Sequence, residues 1–240
     1  MRLPPFTLLL LAGCPSWPDI PEGCRNFAVT TWAETAAPWN EVDWTTITHI
    51  DEPLTVGGAW TRSSDTAAVL CGPTGLEMVR ERVVAARATG KMVWLNWSTE
   101  ELQAIGQLCG AEEIGAGADV LSFDSYGGKW DWWFGKTPDM LDFVLVNLAP
   151  GQVMGLVPEG HYVPSLGVKW DTDELSLTNA LYFDWAMRHD SGGLIFAIAP
   201  FRWGPCADSA GNLCIADQPR LVQTISDLAV QHPRCEGVTL

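Results

Sequence analysis

Basic residues are scarce in this chain of 240 residues: 14 Lys and Arg stand against 29 Asp and Glu, a formal net charge of −15. A surface this acidic repels phosphate backbones, which argues against nucleic acid as a partner. The acids are spread along the chain rather than gathered in a tail, so no acidic interaction arm is implied. No C-x-x-C pair occurs, and a structural zinc site therefore lacks its usual signature. No glycine-rich phosphate loop follows the first expected strand, where an open nucleotide-binding sheet would carry it. No stretch approaches the roughly 20 apolar residues of a membrane span. Internal repeats and low-complexity segments are also lacking. Neither a cofactor nor a resident metal is expected, and a monomer is.

Apolar residues make up 47% of the chain, ample for one large packed domain, and 13 of them are tryptophan. Packing accounts for part of that tryptophan content, and stacking on a ligand is the commonest reason for the remainder. Strand-like runs recur at residues 27–34, 47–53, 91–97, 119–125, 152–158, 193–200 and 237–240. Helical spacing fills the intervals at residues 74–89, 138–148, 176–188 and 219–230, and a helix capped by Ser98 or Thr99 follows the third strand. In the helix at 176–188, Leu177, Leu181 and Trp185 fall on one face. Such alternation implies a parallel sheet with helices packed outside. The expected fold is α/β, a closed (β/α)8-like (TIM) barrel. It has eight strands if residues 67–71 form one and is reduced to seven if they do not. A doubly wound open sheet is the second choice.

The stretch A-D-V-L-S-F-D-S-Y-G-G-K-W-D-W-W (118–133) organises the chain. Alternation turns Leu121 and Phe123 toward the helices and leaves Ser122 and Asp124 facing inward. On the fifth strand the same rule leaves Gly155, Val157 and Glu159 inward. In parallel barrels chemistry sits at the carboxyl ends of the strands. Those ends offer Trp32 and Glu34, His49 and Asp51, Asn96, Asp124 and Tyr126, Glu159 and His161, and Arg202 and Trp203. Inward acids on separate strands repel one another and lose solvent, so they are costly to keep without a purpose.

On A-D-V-L-S-F-D-S-Y (118–126), V-M-G-L-V-P-E-G (153–160) and P-F-R-W (200–203), the sequence resembles the (β/α)-barrel glycoside hydrolases. The resemblance implies two carboxylates on different strand ends, with aromatic rings as sugar subsites. Asp124 and Glu159 match those positions, with Glu159 as acid/base and Asp124 as nucleophile or stabiliser. Glu34, Asp51, His49 and Asn96 are secondary candidates. Trp32, Trp97, Tyr126, Trp130, Trp133, His161, Arg202 and Trp203 are the candidates for substrate contact, and a poly- or oligosaccharide is the implied substrate. Two other readings stay open. One is a glycan-binding protein without catalysis. The other is a metal-dependent hydrolase using His49, Asp51, Glu159 and His161.

The N-terminus carries Arg2, an apolar run and then Leu-Ala-Gly-Cys at 11–14, which resembles a bacterial lipobox. The resemblance implies a signal peptide at residues 1–13, lipidation of Cys14, a proline-rich tether at 14–24 and a single domain at 25–240. It implies an exported protein, lipid-anchored to the cell envelope, at the outer membrane or cell surface because Pro15 follows the cysteine. The chain has seven cysteines, and setting Cys14 aside leaves six, an even number that suits disulfides. Cys24 and Cys235 precede the first and last strands, which are neighbours in a closed barrel. Cys206 and Cys214 flank a turn, which leaves Cys71 with Cys109.

Overall fold

The computed structural model describes residues 17–32, 37–51, 64–125, 131–132, 134–160, 172–190, 192–201 and 213–237. In chain order these form β1 (Ala28–Val29), β2 (Ile47–Asp51), α1 (Ser64–Cys71), α2 (Leu76–Arg87), β3 (Met92–Ser98) and α3 (Thr99–Leu108). They continue with β4 (Val120–Ser125), α4 (Lys136–Val146), β5 (Val153–Pro158), α5 (Thr172–His189), β6 (Ile195–Ile198) and α6 (Pro219–Gln231). All strand pairs are parallel, in the order β1-β6-β5-β4-β3-β2. The chain is therefore α/β, as the alternation implies.

The sheet is curled but open, which corrects the expectation of a closed barrel. Among the described residues β1 pairs only with β6, and β2 pairs only with β3. The reason lies in the segment after β1. Its free edge, where β2 would have to dock, is already hydrogen bonded. The Val29 N–H donates to Glu41 Oε2 at 2.9 Å, and the Glu41 N–H donates to the Val29 carbonyl at 3.1 Å. Trp39 Nε1 donates to the Thr30 carbonyl at 3.3 Å. Arg25 locks this arrangement with a two-pronged ion pair to Glu41, at 2.6 and 2.5 Å. A strand whose edge groups are satisfied locally offers no ladder to a second neighbour.

Residues 67–71 do not form a strand. They belong to α1, so they do not supply the eighth strand. The expected last strand at 237–240 lies mostly outside the described residues; nearby, Arg234 forms an isolated parallel bridge with Arg25. The helix expected at 176–188 starts earlier, and its buried face is rotated. Of the three residues expected on that face Trp185 is buried, whereas Leu177 and Leu181 are only partly so; Leu175, Asn179, Tyr182, Phe183 and Ala186 complete the buried side.

Two apolar cores flank the sheet. The helix-facing core holds Leu95, Trp97, Leu121, Phe123, Met154 and Leu156 with the inner faces of the helices. The concave face holds Trp32, Trp44, Trp94, Val120, Val157 and Phe196. There Trp94 stacks on Trp44 at 5.4 Å between ring centroids and meets Trp32 and Phe196 edge-on at 4.9 and 5.4 Å. Three indoles and a phenyl ring thus fill the interior of the curl. Trp94 Nε1 donates to Ser122 Oγ at 2.7 Å, and Ser122 Oγ donates to Asn96 Oδ1 at 2.7 Å, so the buried polar atoms on this face form a chain.

Cys24 is bonded to Cys235 with Cα atoms 5.0 Å apart, and Cys71 to Cys109 with Cα atoms 5.6 Å apart. Barrel closure is not what brings the first pair together. Backbone bonds do so: the Arg25 N–H donates to the Pro233 carbonyl at 3.0 Å, and the Cys235 N–H donates to the Arg25 carbonyl at 2.9 Å. Cys214 is also disulfide-bonded, while Cys206 and Cys14 lie outside the described residues. The described part of the proline-rich segment packs onto the domain. Ile20 touches the helix-facing core, and Arg188 donates to the Asp19 carbonyl at 2.5 Å.

Candidate functional site

The carboxyl ends of β4 and β5 carry the strongest concentration of unusual groups. Asp124 lies in register with Ser98 on one side and Val157 on the other. Thr99 Oγ1 fixes its carbonyl further, donating at 2.7 Å. Thr99 is itself held at the start of α3 by a capping box, in which Ser98 Oγ accepts from the Glu101 N–H at 3.2 Å and Glu101 Oε2 accepts from the Ser98 N–H at 2.9 Å.

Glu159 follows β5 by one residue and is two positions beyond Val157, the partner of Asp124. Strand spacing and rise then put the two Cα atoms roughly 8 Å apart on the same face. Three separate elements hold the Glu159 backbone. It bridges Phe201 after β6. Its carbonyl accepts from Asn179 Nδ2 of α5 at 2.9 Å. The following Gly160 carbonyl accepts from Gln218 Nε2 at 3.0 Å. Gly160 has to be glycine, because a Cβ there would lie 2.6 Å from the Ile215 side chain and closer still to the Phe201 carbonyl. The carboxyl group is thereby presented from a rigid backbone.

The Glu159 side chain is only 6% exposed, and its Oε2 has no hydrogen-bond partner among the described residues. Burial, and then the charges of Asp124 and Asp131, push its pKa up to about 8. A carboxyl group in this setting is protonated at neutral pH. Tyr182 of α5, 1% exposed, presents a hydroxyl that likewise lacks a partner among the described residues. Its pKa is raised by burial first, and then by Asp124, Glu159 and Asp131. The tyrosine ring meets Trp132 edge-on at 5.2 Å. Asp131 completes the group: Ser125 Oγ donates to it at 3.3 Å, and Lys136 Nζ lies 3.4 Å away. Beside Asp124 a cavity of about 380 Å³ opens between α3 and α4, lined by Thr99, Glu100, Gln103, Asp131 and Lys136 among others. A cavity of about 570 Å³ lies at the opposite end of the strands, lined by Arg87, Lys91 and Asp119. It is remote from the carboxylates, and the Arg87–Asp119 pair there ties α2 to the start of β4.

The other residues singled out in the sequence are dispersed. Trp97 is fully buried on the helix side, where its Nε1 donates to the Ile114 carbonyl at 2.8 Å; this is a packing position. Trp32 belongs to the indole cluster of the concave face. Asn96 is buried and accepts from Ser122. His49 is exposed, with its ring against Trp32 at 5.7 Å. Glu34, Tyr126, Trp130, Trp133, His161, Arg202 and Trp203, and the side chain of Asp51, lie outside the described residues. Among the described residues no group of three or more His, Cys, Asp or Glu side chains is arranged to hold a metal ion. No helix among them is long and apolar enough to cross a membrane.

Sequence reasoning missed Tyr182, Asp131 and Asn179. Tyr182 and Asn179 sit on a helix whose pattern reads as ordinary packing, and only tertiary contact shows which turn overlies β5. Asp131 had a signal, since it is the one acid in the K-W-D-W-W run. No protein-family model matches the chain, and no curated protein or solved structure matches it either.

Proposed function

We propose that this protein is an O-glycosyl hydrolase acting on a poly- or oligosaccharide, with Glu159 as general acid and Asp124 as nucleophile or electrostatic stabiliser. The observation that carries this reading is the carboxyl of Glu159: buried, rigidly mounted, and held at about 8 beside a second carboxylate on the next strand. Glycoside cleavage needs this division of labour. Glu159 gives its proton to the leaving oxygen as the C–O bond breaks. The positive charge that grows on the sugar ring faces the Asp124 carboxylate. Once ionised, Glu159 is repelled by Asp124 and Asp131, which favours recovery of a proton from the water that completes hydrolysis. The resemblance of 118–126 and 153–160 to glycoside hydrolases supports the same assignment, and an open sheet still brings the ends of β4 and β5 together.

Export and a lipid anchor at Cys14 belong to this reading. The bridges Cys24–Cys235 and Cys71–Cys109 support it, because such bonds persist in oxidising compartments. The test is release of reducing ends from a panel of glycans by the wild type, Glu159→Gln and Asp124→Asn. The reading requires cleavage of at least one glycan by the wild type and its loss in both variants. Binding without cleavage would make the protein a glycan-binding module instead.

A further inference from the structure

The chain enters the domain along a strap, residues 17–23, that is fastened at several points. Ile20 packs against the helix-facing core, Arg188 of α5 donates to the Asp19 carbonyl at 2.5 Å, and the Cys24–Cys235 bridge clamps the end. The strap also lies along the last turns of α6, where Trp17 and Glu22 share a hollow of about 610 Å³ with Asp227 and Gln231. The described half of the proline-rich segment is therefore part of the domain and not a spacer. Trp17 begins it, with 55% of its surface exposed, and at the same end of α6 Val230 is exposed as well. Only Pro15 and Ser16 separate Trp17 from Cys14. Three steps of about 3.6 Å each span at most about 11 Å. An acyl anchor on Cys14 thus leaves the strap no room to stand clear of the bilayer. Trp17 is held within or just above the headgroup layer, where indoles are enriched.

We propose that the strap and the last turns of α6 form a membrane-docking face, seated on the bilayer that holds the Cys14 anchor. This rests on the anchor reading and adds the orientation that reading leaves open. The far end of α6 shows what docking leaves free. Gln218, the residue before the helix, donates to the Gly160 carbonyl at 3.0 Å, so the helix starts beside Glu159. Gln231, its last residue, borders the hollow with Trp17. The 13 residues of α6, at about 1.5 Å each, put about 20 Å between the docked end and the carboxylates. The occupant is a bilayer of zwitterionic headgroups. The hollow carries two acids, Glu22 and Asp227, and no Lys or Arg among its lining residues. The whole chain adds a net charge of −15. An anionic surface repels such a face, whereas headgroup ammonium groups meet its carboxylates.

The experiment expresses the full chain in a bacterial host, purifies it from membranes and inserts it into phosphatidylcholine vesicles whose acyl chains carry bromine, a quencher of indole fluorescence. Mass spectrometry first establishes whether Cys14 carries lipid. The wild type should be quenched, and Trp17→Phe, a change at an exposed side chain remote from Glu159, should lose most of that quenching. Replacing much of the lipid with phosphatidylglycerol should cut the share due to Trp17 about fivefold. Glu22→Gln/Asp227→Asn should restore it on the anionic vesicles. Equal quenching of wild type and Trp17→Phe would mean that another face, or none, meets the bilayer and would overturn the proposal. Stronger or unchanged Trp17 quenching on anionic vesicles, or a double variant that restores nothing, would overturn it as well. Mass spectrometry keeps the two claims apart. A Cys14 without lipid sinks the anchor reading and this proposal with it. A lipidated Cys14 without quenching that depends on Trp17 sinks this proposal alone.

Discussion

The indole of Trp94 lies directly over Gly155, two strands away on the concave face: a Cβ at Gly155 would fall 2.6 Å from Trp94 Cε2 and nearer still to Cζ2. The missing side chain on β5 is what lets this tryptophan of β3 lie flat inside the curl and reach Ser122. Gly155→Ala should therefore cost about 1–3 kcal/mol through overpacking. Thermal melting should show a drop of several degrees, and pairing the change with Trp94→Phe should recover part of it. An unchanged melting temperature in Gly155→Ala would mean that the indole lies elsewhere.

Glu159 makes stability depend on pH. Its folded pKa of about 8 lies above the ordinary 4.5, so between these values the folded state holds more protons than the unfolded one. Stability from this group is therefore fully present below about pH 4.5 and declines as pH rises toward 8, by up to about 1.4 kcal/mol per pH unit. Glu159→Gln removes the ionising group. Its stability relative to wild type should improve steadily across that interval in denaturant titrations, then level off above about pH 8. Parallel curves for the two proteins would show that Glu159 titrates normally.

The Cys24–Cys235 bridge joins residues 211 positions apart. In the chain-entropy picture a loop of that length is worth about 5 kcal/mol, before any strain is subtracted. The double change Cys24→Ser/Cys235→Ser should lower denaturant stability by several kcal/mol. Cys71→Ser/Cys109→Ser opens a loop of only 38 residues and should cost less, about 4 kcal/mol at most. The reverse order would show that the two ends of the chain are held by backbone pairing rather than by the bridge.

Lipidation at Cys14 is tested in a bacterial host. Cys14→Ser, or treatment with globomycin, should leave an unprocessed precursor. Processing that continues unchanged would point to an ordinary secretory signal or to none.

Much of the fold was legible because the strands are buried on both faces and their apolar runs are unmistakable, as in M-V-W-L-N-W-S of β3. Alternation also assigned Leu121 and Phe123 to the helices, and Ser122, Gly155 and Val157 to the concave side. Closure was not legible. It turns on whether the edge of β1 meets β2 or its own following loop, and nothing in the residue pattern marks Glu41 as the group that occupies Val29. Residues 67–71 look extended as an isolated A-A-V-L-C run but continue the helix begun at Ser64. The carboxylates at the ends of β4 and β5 were visible as polar breaks in apolar strands. Tyr182 was not, because a tyrosine on an amphipathic helix reads the same whether it meets a carboxylate cluster or a core.

The division of roles between Glu159 and Asp124 is tested most directly by changing the leaving group. A glycan needs a proton on its departing oxygen, whereas an aryl glycoside whose phenol is strongly acidic departs without one. On a glycan cleaved by the wild type, Glu159→Gln should be slower by about 10²–10⁴-fold. On the activated aryl glycoside of the same sugar it should keep most of its rate, and lack the alkaline fall that the account predicts for the wild type near the Glu159 value of about 8. Asp124→Asn should be slow on both. Equal loss on both substrates in Glu159→Gln, or full activity of Asp124→Asn on either, would contradict the account.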